Sequence, residues 1–556
     1  MNAFKRKSLY TAVVAGLATV GASMNAGAVN LSTDGTGAVL LYPYYTVRNG
    51  LTTSFSVVNT STSLTKVVKV RFLEGKNSAE VLDFNLWLSP RDVWTGAIVD
   101  NGSGAAVYSP DNSCTAPALG KTPATAQPFV NYYYTGQVSG TVYDNAGAGL
   151  DRTREGYIEL IEMGEPSDVA GAAAHGVATT PVGISLAAAV KHQATGIPFN
   201  CPYVQVNTLF VNGTEILSPL GGLAGNYIII NGATGTEMAH TPVPLQNFYV
   251  PLISNALYTI PGTLGPQLIN VSPASSIAFI PSVGGVALAT VPDWSAAPPA
   301  GPGGRAIDAV SAILMRSAIM NEYDVSPNFK TDIVITQPTK RFYVATSLLA
   351  SDYTTDPVAA IGPYRQTFAN ATADAARSCD LVFPAAYDRE EAPYTSAGIA
   401  FSPIPVGASG LGQLCWEATV MTVVPGTGGA TAAGSAVFAS ANAASLTLPS
   451  SGSSMNYASG WVGLWPTTTS GTTNSPGQSV SGGGISPVVV TNNAFGGLSA
   501  GTSILATGLS GAASTPPNVR YRGLPVIGFA ATTAAIGGQG YGGIFDNKYN
   551  VSINTP

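Results

Sequence analysis

Three kinds of side chain in this 556-residue chain could carry chemistry: clustered carboxylates, three histidines, and a serine held between glycines. Glu155, Glu159 and Glu162 form one acidic group, and Asp388-Arg389-Glu390-Glu391 a second. A glycosidase needs two carboxylates facing each other across a cleft. Gly156 to Gly164 reads as a strand, and successive strand residues point to opposite faces. Glu159 and Glu162 therefore diverge, and the expectation is solvation at a strand edge or pairing with arginine. Gly497-Leu498-Ser499-Ala500-Gly501 matches the Gly-x-Ser-x-Gly nucleophile elbow. In a chain with 63 glycines one such match arises by chance, and this one lies in a low-complexity tract. A triad also needs a histidine base. His175, His192 and His240 have no supporting local pattern and no His-Glu-x-x-His spacing. Gly537 to Gly543 is similar to a calcium-binding glycine repeat, yet it is a single copy lacking the required aspartate. No catalytic, cofactor-binding or metal-ligating residue is assigned, and the chain is read as non-enzymatic. A structural Ca²⁺ stays open, because oxygen-only sites leave little trace in sequence.

Aromatic and sulfur side chains come next. Trp87 and Trp94 fall in or beside strands and are expected in the core. Trp461 and Trp465, four residues apart beside glycine-rich loops, are the better exposed pair and the candidate ligand contact, since a tryptophan face can stack on a sugar ring. Cys114, Cys201, Cys379 and Cys415 are even in number and lack Cys-x-x-Cys spacing. In an exported chain they read as two disulfides. Of three connectivities, Cys114–Cys201 with Cys379–Cys415 is favoured because each pair stays within one half of the chain.

Export is expected from the first 28 residues. Lys5, Arg6 and Lys7 precede an apolar stretch from Leu9 to Ala22, and Ala26-Gly27-Ala28 offers the small residues of a cleavage site before Val29. The apolar run is shorter than the roughly 20 residues of a membrane span, and no later segment is long and apolar enough, so no transmembrane segment is expected in the processed chain. Charged residues make up 10% of the sequence, against roughly 25% in ordinary globular proteins. The net charge of −6 is mild. Without a basic stripe, nucleic acid is excluded as a partner.

The elements that position these residues are mostly strands. Val39 to Val47 reads as an edge or bent strand because of Pro43. Lys66 to Phe72 alternates Val68, Val70 and Phe72 against Lys69 and Arg71, the period of a half-buried strand. Val81 to Leu88 and Val93 to Val99 follow at turn-separated intervals. Ile184 to Ala194 is a short helix candidate. Ile307 to Tyr323 has helical spacing and is expected as a helix, and Asp332 to Thr336 with Arg341 to Thr346 as a hairpin. Residues 425–515 read as a Gly/Ser/Thr/Ala-rich surface insertion with long loops. The fold class is mainly β: an antiparallel sandwich of the immunoglobulin-like or Greek-key kind, with long insertions and a few short helices. An N-terminal β-sandwich region, 29–300, and a C-terminal β-rich region, 301–556, are expected, either separate or as one composite domain.

Several segments together resemble a family of uncharacterised exported proteobacterial cell-surface proteins. They are Leu41 to Val47, Val70-Arg71-Phe72-Leu73-Glu74-Gly75-Lys76-Asn77-Ser78, Tyr157 to Gly164, Asn321-Glu322-Tyr323, Pro338-Thr339-Lys340-Arg341-Phe342-Tyr343, Leu414-Cys415-Trp416-Glu417 and Gly523 to Gly528. The resemblance implies a surface location and carries no catalytic residues with it. The functional expectation is a secreted surface component of a layer, filament or envelope decoration, associating with itself or with other surface components. The alternative is an adhesin that binds glycans, and an extracellular hydrolase ranks third.

Overall fold

The computed structural model describes residues 28–137, 146–168, 184–205, 210, 212–249, 257–271, 275–276, 278–280, 288–291, 307–344, 364, 377–390, 393–394, 401–402, 412–425, 434–448, 458–467, 489–491, 502–504, 520–550 and 553–554. Residues 1–27 of the expected leader, His175, Trp294, Glu391 and the Gly497–Gly501 motif lie outside these residues.

The chain is mainly β, built from several largely antiparallel sheets with few short helices. In the N-terminal half the strands are β1 (Ala28–Leu31), β2 (Val39–Thr46), β3 (Thr52–Asn59), β4 (Lys66–Glu74), β5 (Glu80–Leu88), β6 (Val93–Asp100), β7 (Ala105–Tyr108), β8 (Cys114–Ala116), β9 (Gln127–Pro128), β10 (Glu155–Pro166), β11 (Leu223–Asn231), β12 (Thr236–His240), β13 (Val243–Gln246) and β14 (Ser275–Ser276). A first sheet runs β14-β1-β13-β2-β10-β4-β5-β8, with Ile216–Leu217 also paired to β10, and a second runs β12-β11-β3-β6-β7-β9. They form a sandwich. Leu40, Tyr42, Val68, Val70, Phe72, Ile158 and Leu160 from one sheet share a core with Phe55, Val57, Trp94, Ile98, Tyr227 and Ile229 from the other.

The C-terminal half contributes β15 (Ala318–Asp324), β16 (Phe329–Thr336), β17 (Asp380–Asp388), β18 (Ala418–Val424), β19 (Ala443–Thr447), β20 (Ser459–Thr467), β21 (Ile527–Ile536), β22 (Gln539–Asp546) and β23 (Lys548–Asn550). A third sheet contains β17-β20-β15-β23, and a fourth β19-β18-β16-β21-β22. The inner strands of the fourth sheet, β18, β16 and the first half of β21, bury both faces, whereas β22 is largely exposed. Val334, Val420, Phe529 and Ala531 join the core of the N-terminal sandwich. Ile333, Ile335, Met421 and Ala530 join a second core with Val39, Leu41 and Ile161 from the outer face of the first sheet.

This packing explains where the structure departs from expectation. On β4 the alternation is as read, but all nine residues are buried, Lys69 and Arg71 included. Their face is not solvated because residues from further along the chain cover it and neighbouring carboxylates neutralise it. Pro43 does not mark an edge, since β2 lies between β13 and β10. The ladder with β10 slips between Gly156 and Ile158, opposite the proline, so the missing N–H falls at an irregularity.

The helix beginning at Ile307 stops at Leu314 (Ile307–Leu314). Met315–Arg316 pairs with Leu524–Pro525, and Ala318 onward is β15. There Ile319, Asn321 and Tyr323 are buried while Glu322 is exposed, and ladder pairing on both sides prevails over helical spacing. The expected hairpin after β16 is absent. Arg341–Val344 is instead a helical turn, and β16 pairs with β18 and β21. The segment 425–515 is not wholly a surface insertion, because it supplies β19 and β20, whose Leu446, Val462 and Leu464 are core residues. The Ile184–Ala194 candidate is a helix over Leu186–Val190, capped by Ser185.

Two disulfides join Cys114 to Cys201 and Cys379 to Cys415. The first ties β8, at the rim of the first sheet, to a small core around Trp87, Leu186 and Val190. Among the described residues no helix is long and apolar enough to cross a membrane.

Candidate functional site: a buried polar seam

Glu155, Glu159 and Glu162 do not converge on a cleft; each is closed by its own partners. Glu159, in the middle of β10, is fully buried. It receives Arg71 Nη1 at 2.7 Å from β4 and Arg341 Nη2 at 3.2 Å from the C-terminal half. Arg71 in turn reaches Glu80 through Nε at 2.6 Å. Glu162 takes Lys66 Nζ at 2.8 Å and the Gly221 N–H at 2.7 Å. Burial outweighs the lysine and raises the Glu162 carboxyl to about 7. Glu155 accepts from Tyr44 Oη at 2.7 Å, Arg48 Nε at 2.9 Å and the Ala441 N–H at 2.8 Å, with Ser440 Oγ also donating. Pairing of Glu159 with arginine agrees with the bland expectation, though in the interior and not at an edge.

Side chains outside the sequence shortlist complete this seam. Tyr157 Oη donates to Ser78 Oγ, which donates to Glu417 Oε2, each at 2.7 Å. Arg341 Nη1 donates to the Ser78 carbonyl at 3.2 Å. Burial pushes Glu417 up to about 8, while Ser78, Arg341 and Lys340 oppose that rise. Glu74 is held by Arg152 at 2.9 Å and by the N–H groups of Lys76 and Asn77. Burial raises that carboxyl, but Arg152 and the other donors prevail, and its pKa is lowered. Backbone pairs continue the junction, Glu417 N to Lys76 O at 3.0 Å and Ala418 N to Gly75 O at 2.8 Å. Asp332 on β16 accepts the N–H groups of residues 436–438. The segments Val70–Ser78, Tyr157–Gly164, Pro338–Tyr343 and Leu414–Glu417 thus supply Arg71, Glu74, Ser78, Tyr157, Glu159, Lys340, Arg341 and Glu417. Arg71, Glu74 and Glu159 are charged residues in otherwise apolar strands, which was the available sequence signal, whereas Ser78, Lys340, Arg341 and Glu417 lie outside strands and carried none.

The remaining candidates are placed as follows. Ser89, Asp92 and His192 lie together, but Ser89 Oγ and Asp92 Oδ2 both approach His192 Nδ1, at 3.3 and 3.4 Å. A relay needs the serine and the aspartate on different ring nitrogens, so this trio cannot work as a triad. Burial lowers His240, whose Nε2 lies 2.9 Å from Asp546. Asp388 is buried at the end of β17 and accepts the Glu390 N–H, whereas the Arg389 side chain is exposed, 4.0 Å from Asp324. Gly537 and Gly538, both with positive φ, form the two-residue turn between β21 and β22, a hairpin preference and not an ion loop. Among the described residues no group of three or more His, Cys, Asp or Glu is arranged to hold a metal.

Trp87 and Trp94 are core residues. Trp461 and Trp465 sit on a strand, not beside loops: both are on the face of β20 opposite Val462 and Leu464, and both are half-buried. Trp461 stacks on Tyr387 of β17 with ring centroids 4.3 Å apart and planes 10° from parallel. The Trp465 ring lies over Gly463. This face is the one aromatic arrangement from the sequence shortlist that keeps partial exposure.

No family model matches the chain, and neither a curated protein nor a solved structure matches it.

Proposed function

We infer that this chain is an exported, non-enzymatic surface protein: a stiff β body that assembles with copies of itself or with other envelope components. The observation that carries this reading is the seam. The carboxylates best suited to chemistry, Glu155 and Glu159, are spent fastening one half of the chain to the other. Buried charges held by fixed partners favour one arrangement of the elements around them. Two disulfides and a low charge content suit long service outside the cytoplasm. Cell fractionation with electron microscopy of the surface tests the reading. An abundant ordered layer or fibre, lost on deletion of the gene, is expected. Scarce protein free in the medium overturns it.

The stacked Trp461–Tyr387 pair with neighbouring Trp465 favours a second reading, a glycan-binding adhesin. Half-exposed aromatic faces in a row offer stacking surfaces for sugar rings. On that reading Trp461→Ala weakens glycan-array binding about tenfold or more, the loss of one aromatic contact of about 1.5 kcal/mol. An unchanged array profile removes this reading and leaves the first intact.

A further inference from the structure

Lys340, Asp380 and Glu417 occupy one buried corner of the seam, beside the Cys379–Cys415 disulfide. Lys340 Nζ lies 2.7 Å from Asp380 Oδ2, and the two side chains are 0% and 3% exposed. The amine also faces Gln337 Oε1 at 3.2 Å, Trp416 O at 3.0 Å and the Ser378 carbonyl, with the Tyr364 ring centroid 5.6 Å away. Glu417 follows Trp416 in the chain, is fully buried, and holds its backbone carbonyl on Gln337 N at 2.7 Å. Its Oε1 has no hydrogen-bond partner among the described residues. A primary amine and a carboxyl group in contact with it therefore sit in a site closed to water, with the buried Glu417 carboxyl within the electrostatic field of the amine.

Such a site favours an unusual outcome. Two opposite charges removed from water carry a large desolvation penalty, and joining the two groups in a neutral amide removes both charges. Contact held by the fold replaces the improbable encounter of the two groups. We propose that Lys340 and Asp380 condense into an intramolecular amide cross-link, with Glu417 as the proton relay.

In this step Lys340 gives one proton to the Asp380 carboxylate, and the free amine adds to Cγ. Glu417 takes a second proton from nitrogen and returns one to the departing oxygen. The Nζ–Cγ bond forms, one Cγ–O bond breaks and one water leaves. The three ammonium hydrogens end as one amide N–H and two hydrogens of water, so no oxidant or reductant is needed. The product keeps its partners: the new N–H faces the carbonyls of Ser378 and Trp416, and the new carbonyl has Gln337 Nε2, now 3.4 Å from Asp380 Oδ2. Lys69 and Asp83 are closer still at 2.5 Å, but that pair lacks an equivalent relay. Glu80 is bound to Arg71, and both Asp83 oxygens accept the Gly262 N–H.

The test is the intact mass of the full purified chain, reduced and denatured, with its N-terminus determined, followed by proteolytic mapping. The expected mass is one water below that of the linear sequence, with a branched peptide joining Lys340 to Asp380. Lys340→Arg and Glu417→Gln are expected to restore the full mass. Asp380→Asn is expected to lose ammonia in place of water, the signature of the same attack on an amide. A wild-type chain of full mass with separate linear peptides overturns the proposal, and so does a branch at Lys69 and Asp83. A Glu417→Gln chain that still loses water overturns the relay. The wild-type mass decides by itself if a variant fails to fold. It is independent of where the protein resides or what it binds.

Discussion

Glu159→Ala is expected to destabilise the protein by about 3–5 kcal/mol, the cost of stripping the partner from a buried charge. Two guanidinium groups depend on this carboxylate, Arg71 at 2.7 Å and Arg341 at 3.2 Å. Arg71 retains Glu80 at 2.6 Å, so the larger loss falls on Arg341, which comes from the opposite half of the chain. The signature is specific: a lower midpoint of chemical unfolding, with the C-terminal half loosening first in hydrogen exchange. Replacing Glu159 and Arg341 together by apolar residues of similar volume is expected to recover much of the loss, since a buried ion pair and a packed apolar pair are often nearly equivalent. A shift of under about 1 kcal/mol for Glu159→Ala, the scale of an exposed pair, removes the seam from this role.

The second large effect is a pH dependence that follows from Glu417. Its folded carboxyl is raised by burial to about 8 from an ordinary value of 4.5. The groups that face it are Ser78, Arg341, Lys340 and, with like charge, Glu74; Tyr157 also lies within its field. Across this interval the folded chain keeps the proton that the unfolded chain releases. Stability must therefore fall as pH rises. The contribution is present in full below about pH 4.5, declines between there and about pH 8, and is gone once the folded carboxyl ionises. Glu162, raised to about 7, acts in the same direction, so the informative quantity is the difference between wild type and Glu417→Gln. Glutamine keeps the shape and the neutral state and cannot ionise, and its stability curve is expected to be flatter over that interval. Parallel curves for the two chains contradict the assignment.

Much of this architecture was legible locally. The alternation over Lys66 to Phe72 identified β4 and its core residues, because a strand's side-chain period acts over a few residues. The paired glycines at 537 and 538, set in sequence only against a calcium-binding repeat, form a hairpin turn that their local pattern could have shown. The cysteine pairing within each half was anticipated and is present. Local signals failed where distant strands compete for the same backbone. Ala318–Asp324 carries helical spacing, yet two ladders were available to it. Glycine and serine around Trp461 suggested loops, yet a strand at the heart of the third sheet runs through them.

The sequence by itself determined the class of the protein: mainly β, sparsely charged, with two disulfides. It also held the seam residues Arg71, Ser78, Glu159, Lys340, Arg341 and Glu417, with nothing local to mark them as partners. Only the tertiary structure decided that these residues meet. Arg341 and Glu159 are separated by 182 positions and Ser78 and Glu417 by 339, and no local period spans such intervals. The same packing decided their chemistry. A lysine or glutamate in sequence reads as solvated, and only when a second half of the chain covers it do desolvation and a fixed partner determine its charge.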